Sequence, residues 1–216
     1  GSRLSAMFVN DWFLPSALVS VSMRSLRYCF GATMALRRDV LEDMGGFSAL
    51  AEYLADDYML GQRVYEQGYR IELANCLVEN VVREPDFISL LRHELRWART
   101  MRRVEPVGYG LAAVTDVLPM TAIAGLCVYL GTGIVWPGLA LVALALVART
   151  ALHLAVIEAM GIRHDRSAWL IPARDIMTAL LRVWSFIPGP VTWRGHEFDV
   201  DRSGRIIERT TSPVAK

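Results

Sequence analysis

Two long apolar runs separated by three small residues constrain this chain most. Residues 111–130 are apolar apart from Asp116 and a few threonines, and residues 134–157 carry Arg149 as their one charged side chain. Each run has the roughly 20 residues a helix needs to cross about 30 Å of hydrocarbon. Gly131-Thr132-Gly133 between them is a tight, uncharged turn. The reading is a transmembrane hairpin within residues 106–160. Composition agrees: 53% hydrophobic residues and a mean hydropathy of +0.30 are too apolar for an ordinary soluble domain. A formal net charge of +1 leaves no overall electrostatic case for binding nucleic acid.

Charge placement orients the hairpin. Arg99, Arg102 and Arg103 precede it, Arg163 and Arg166 follow it, and the turn holds none. The positive-inside bias therefore puts both ends on the cytoplasmic side of a membrane crossed more than once. Counted outward from the turn, Asp116 and Arg149 lie equally deep, about 24 Å along each span at 1.5 Å per residue. A lone charge at that depth is costly, so the spacing predicts that these two pair and hold the hairpin in register.

Elsewhere the pattern is mixed. Residues 4–23 are apolar but interrupted by Asp11 and Pro15, and do not read as a span. Residues 28–36, 69–74 and 77–82 read as strands. A short helix over 40–44 has Asp39 as its cap and Gly45 as its stop, and a second runs over 55–67 to Gly68. Asp86 caps an amphipathic helix over 86–103 that suits the headgroup plane. Residues 161–202 contain an apolar stretch, 169–187, whose Arg174, Asp175 and Arg182 make it interfacial or re-entrant rather than spanning. Residues 203–216 read as a disordered tail. Cys29, Cys76 and Cys127 are far apart without metal-binding spacing, and His153, His164 and His196 are isolated.

Two stretches carry chemistry. Leu54-Ala55-Asp56-Asp57-Tyr58 sets paired acids in an apolar context, where each carboxylate must be solvated, paired or used. The helix dipole would hold acids of a first turn ionised, and adjacent side chains diverge by about 100°, so only one faces a substrate. Forty residues on, His93, Arg96, Trp97 and Thr100 recur at i, i+3, i+4 and i+7 on one helical face. An acid that takes a proton and a cation that holds phosphate suit transfer from a nucleotide-activated donor. The same spacing fits an acidic helix turn followed by a plain amphipathic helix. Arg96 equally fits a lipid phosphate, and Trp97 a membrane boundary.

Asp57 within Ala-Asp-Asp-Tyr, followed by Arg96-Trp97, resembles the end of the D, D, D, (Q/R)xxRW signature of inverting membrane glycosyltransferases. Phe30-Gly31-Ala32-Thr33-Met34-Ala35-Leu36-Arg37-Arg38 and Gly45-Gly46-Phe47 are similar to the ceramide glucosyltransferase family, most of all its bacterial, hopanoid-associated branch. The resemblance covers residues 5–206 and also takes in Trp193-Arg194-Gly195, whose pattern otherwise reads as a hairpin strand. It implies an α/β fold in which residues 1–105 form the acceptor-side, C-terminal part of a GT-A-like catalytic domain, followed by the transmembrane hairpin and the interfacial helix. It implies Asp57 as general base, and Arg96, Trp97 and His93 on the donor diphosphate. Gly31, Ala32, Thr33 and Asp56 would be on the acceptor side.

The implied reaction is inverting transfer of a sugar from a UDP-sugar to a lipid hydroxyl at the bacterial inner membrane. A divalent Mg or Mn ion would assist. Its ligands, with the family's first two aspartate motifs, are expected upstream of residue 1, so the chain is expected to be an incomplete and inactive piece. His93 departs from the family's Gln or Arg. The alternatives are a fragment of a processive polysaccharide synthase and a non-catalytic membrane-anchored interaction module.

Overall fold

The computed structural model describes residues 1–216 except 24–25, 80, 82–83, 163–166, 194–195, 202–203 and 209–216. Arg163, His164, Arg166, Arg194 and Gly195 therefore lie outside the described residues. The fold is mostly helical and forms two compact units. The first contains Gly1–Ala17, Val82–Leu95 and Val107–Phe186; the second contains Leu18–Val81, Arg96–Pro106 and Ile187–Lys216.

In the first unit, α7 (Val117–Thr132) and α8 (Trp136–Ala159) form the hairpin. They touch at Gly125 and Gly138, where a Cβ on either would lie 2.8 Å from the other's Cα. Small residues at a crossing let two apolar helices approach closely, which is how helices associate without water to drive them together. The outward side chains, including Ile123, Leu126, Leu130, Leu144, Val147 and Leu154, are exposed and apolar. At about 1.5 Å per residue α8 is some 36 Å long, enough to cross a bilayer. The first run is not one straight helix. α6 (Pro106–Leu111) and a 3-10 turn precede a break at Asp116, and the two parts meet at 67°.

The N-terminal stretch departs from expectation. α1 (Ser2–Met7), a π-helical turn (Phe8–Phe13) and α2 (Leu14–Met23) run on without a break. Ser2–Ser22 is long and apolar enough to span a membrane. The features read as interruptions are absorbed: the wider π turn lies just before Pro15, whose ring cannot donate to the helical ladder. Asp11 is buried against His153, Oδ2 to Nδ1 at 2.8 Å.

The charges of residues 169–187 are likewise absorbed. On α9 (Ile171–Ser185), Arg174, Asp175 and Arg182 are buried, while Ile176, Leu180, Val183 and Trp184 are exposed. The helix is amphipathic in the inverted sense, polar side inward. Its charges thus do not hold its surface out of lipid, although about 22 Å of helix is shorter than a full span. The expected Asp116–Arg149 pair is not formed. Arg182 donates to both oxygens of Asp116, Nε to Oδ2 at 2.7 Å, and Arg149 donates to both of Asp175 at 2.8 Å. Equal depth in a two-helix hairpin left only one partner for each; α9 supplies a better one to both.

In the second unit, α3 (Arg38–Asp43) and α4 (Asp56–Glu66) pack with the 3-10 turn Phe47–Leu50 around Met44, Leu50 and Leu60. Asp39 pairs with Arg37 instead of capping α3. Residues 28–36 and the described part of 69–82 are irregular, apart from a single antiparallel bridge between Leu26 and Ile71. The strands fall elsewhere: β1 (Val191–Trp193), β2 (His196–Val200) and β3 (Ile206–Glu208) make a three-stranded antiparallel sheet. β3 lies inside the stretch read as a tail, whose last residues, 209–216, are outside the described set. A bridge from Arg205 to Tyr53, with Ile206 N–H donating to Glu52 O at 2.7 Å, ties this sheet to the residues just before α4.

Candidate functional site

The long helix α5 (Phe87–Val104) runs from the first unit into the second. Asp86 caps it as expected: its Oδ1 accepts from Ser89 N–H at 2.7 Å, and that bond holds the Asp86 carboxyl below its usual range. Within the first unit, His93 Nδ1 is 2.7 Å from Glu84 Oε1, so that ring is already engaged by a carboxylate.

The second unit holds the acid. Asp57 sits in the first turn of α4, half-buried, while Asp56 beside it is exposed. The opposing wall is the 28–31 segment, brought close by two glycines. At Gly61, one turn along α4, a Cβ would overlap the backbone of Tyr28 and Cys29. At Gly31 a Cβ would lie 2.8 Å from Asp57 Oδ2. The backbone N–H of Gly31 and that of Tyr58 both donate to the Asp57 carboxylate, the latter at 2.8 Å. Burial nevertheless dominates and pushes the carboxyl above its ordinary value, helped by the charge of Asp56. The Cys29 thiol is pushed up too, by burial and then by Asp57.

The first turn of α4 also carries an aromatic cluster. Tyr58 stacks on Tyr28 with centroids 5.5 Å apart, and Tyr28 meets Phe30 edge-on at 5.6 Å. The Tyr58 hydroxyl donates to Glu105 Oε1 at 2.8 Å, fastening the first turn of α4 to the residue after α5. Burial and this carboxylate push the phenol well above its usual value. Sequence reasoning passed over Tyr58 and Glu105. The one available signal was Tyr58 adjoining the acid.

Arg96 is half-buried on α5, and burial alone holds its guanidinium below its usual value. Among the described residues it has no carboxylate partner, and it shares no hydrogen bond with Asp57. A desolvated cation of this kind can receive an anion. Trp97 follows it, also half-buried. Ala32 and Thr33 are exposed, with Thr33 Oγ1 donating to Ala32 O at 2.7 Å. The structure thus joins Gly31 to Asp57, and sets Asp56 and His93 apart in solvent and on Glu84.

A divalent metal finds no ligand set here. Among the described residues no three His, Cys, Asp or Glu side chains converge. Asp199-Val200-Asp201 has Asp-x-Asp spacing, but Asp201 accepts Arg205 N–H at 2.9 Å in a turn, and Asp199 lines a cleft of arginines.

No solved structure matches the chain. The family model for Glycosyl transferase family 21 matches residues 1–206. That match covers both stretches singled out for chemistry, the hairpin and the Trp193-Arg194-Gly195 segment, and with it the chain belongs to glycosyl transferase family 21, the ceramide glucosyltransferase-like membrane glycosyltransferases.

Proposed function

We propose that this chain supplies the acceptor side of an inverting glycosyltransferase that moves a sugar from a UDP-sugar to the hydroxyl of a ceramide- or hopanoid-type lipid. Asp57 takes the hydroxyl proton as the oxygen attacks the anomeric carbon. The bond from that carbon to the diphosphate breaks, and the electron pair leaves with UDP. Arg96, with Trp97 and His93 on the same helix, offsets the charge on the departing diphosphate, a task of preorganised electrostatics. Gly31, Ala32, Thr33 and Asp56 border the acceptor. In this reading residues 1–105 belong to a GT-A-like α/β layer facing the cytoplasm at the inner membrane. A Mg or Mn ion would assist the departure of the diphosphate.

The observation that carries the proposal is the environment of Asp57, a half-buried carboxylate above its ordinary proton affinity, closed in by the backbone at Gly31. A base works best when its proton affinity is drawn toward the working pH. The test is a screen of UDP-sugars and lipid hydroxyls on the active enzyme in nanodiscs, followed by Asp57→Asn. Transfer should fall about 10²- to 10⁴-fold, the usual cost of a lost general base. Donor binding should persist, and Asp56→Asn should be mild. Equal losses in the two variants would mark a structural acid pair.

A further inference from the structure

One turn beyond Arg96, α5 and the loop after α9 enclose a second basic feature of the second unit. A cleft there is lined by Arg99, Thr100, Arg102 and Arg103 from α5, by Gly189 in its loop, and by Asp199. Three guanidiniums line it, and Arg102, Arg103 and Asp199 each hold contacts of their own. Arg99 is committed to neutral partners: its two terminal nitrogens donate to Pro190 O at 2.7 Å and Ile187 O at 3.4 Å. Its Nε is buried with no hydrogen-bond partner among the described residues. Burial and the neighbouring Arg102 both disfavour its charge. Gly189 makes the arrangement possible, since a Cβ there would lie 2.6 Å from an Arg99 terminal nitrogen. Like charges gathered in a partly desolvated cleft repel, and the forked donors of arginine match phosphate oxygens.

We propose that this cleft is a phosphate-binding site, distinct from Arg96 and independent of the donor reading above. The phosphate belongs either to an anionic lipid headgroup or to a soluble phosphate compound; both present the same oxygens to the arginines.

The test uses the full chain purified in detergent, with binding measured by calorimetry and thermal shift. The probes are inorganic pyrophosphate and short-chain phosphatidylglycerol, each against sulfate and against a short-chain diacylglycerol without phosphate. At least one phosphate probe should bind more tightly than both controls. Arg99→Gln with Arg103→Gln should weaken it at least about tenfold, the loss expected for one charge-assisted contact. Gly189→Ala, which shifts the Arg99 guanidinium without changing charge, should weaken it too and serves if the double variant fails to fold. Arg92→Gln, an exposed arginine of the same helix outside the cleft, should leave it unchanged. Binding of pyrophosphate alone identifies a soluble source, and of the lipid alone a headgroup. The proposal is overturned if neither probe exceeds sulfate, if the arginine and glycine variants bind like the parent, or if Arg92→Gln causes the same loss.

Discussion

Arginines withdrawn from solvent play two different parts in this chain, and the two units divide them; the described arginine–carboxylate pairs of the second unit, such as Arg37–Asp39, are exposed. In the first unit Arg149, Arg174 and Arg182 are buried, and each grips a carboxylate with two nitrogens: Asp175, Glu94 and Asp116. Further contacts use what remains. Arg174 also reaches Leu4 O and lies over Phe8, while Arg182 reaches Tyr109 O and lies over the Tyr109 ring. Among the described residues of the second unit Arg96 has no carboxylate partner, and Arg99 donates to two backbone carbonyls. A matched pair spends its charge on the fold. A desolvated cation without an anion keeps its charge for a ligand.

This contrast breaks most sharply under single substitutions. Arg174→Ala should destabilise the first unit by about 3–5 kcal/mol, because Glu94 would be left buried and uncompensated. Arg174→Met with Glu94→Leu should recover most of that loss, since apolar replacement of a buried pair is often neutral. Arg96→Ala should do the reverse, lowering transfer about 10²- to 10³-fold, as when one preorganised donor is removed, with little change in unfolding. Denaturant melts set beside turnover separate the two. A stability loss for Arg96→Ala comparable with that for Arg174→Ala would erase the distinction.

The acid side of the second unit sharpens the picture through pH. Protonated Asp57 cannot accept a proton, so transfer falls as pH drops through its pKa. Burial raises that pKa. The acid limb of kcat/KM should therefore lie above the ordinary aspartate value of about 3.9. Asp56→Asn removes a neighbouring charge that adds to the rise, and should move the limb slightly downward. A limb at or below the ordinary value would remove the case for Asp57 as base.

A smaller effect is expected at His93, which the Glu84 carboxylate holds at 2.7 Å. His93→Gln, which keeps a donor, should stay within a few-fold of the parent. His93→Ala should cost about tenfold in transfer, the worth of one lost hydrogen bond. An unchanged His93→Ala enzyme would make this ring a structural prop.

Much of the helical fold was legible because helices announce themselves locally. The hairpin, the α4 stop at Gly68 and the Asp86 cap each rest on residues within a few positions of one another. What was not legible depends on partners distant in sequence. The short alternating runs at 28–36 and 69–82 look like strands, yet among their described residues only Ile71 forms a bridge, to Leu26 just before the first run. The strands that do form take their register from residues 191–208, where alternation was short and polar. The charges on α9 and Asp11 argued against burial only while their partners were unknown. The same holds for the site. Asp57 could be chosen by pattern, but its wall of Gly31, Cys29 and Tyr28 and its tether through Tyr58 to Glu105 required the fold.

The smallest and most discriminating effect concerns Asp116, which spacing pairs with Arg149 and the structure pairs with Arg182. Two double-mutant cycles on unfolding separate them, one with Asp116→Asn and Arg182→Gln, the other with Asp116→Asn and Arg149→Gln. Groups in direct contact couple by roughly 0.5–3 kcal/mol, and groups without shared partners add to within about 0.5 kcal/mol. The Arg182 cycle should fall in the upper part of that range, because both carboxylate oxygens are engaged in a buried setting. The Arg149 cycle should be small but not zero, since Asp116 lies within electrostatic reach of Arg149 while Asp175 takes its hydrogen bonds. Coupling to Arg149 as large as that to Arg182 would mean that the hairpin, and not α9, decides where these charges go. Partner choice within the first unit would then follow depth in the membrane, and the division of labour between matched and unmatched arginines would lose its structural basis.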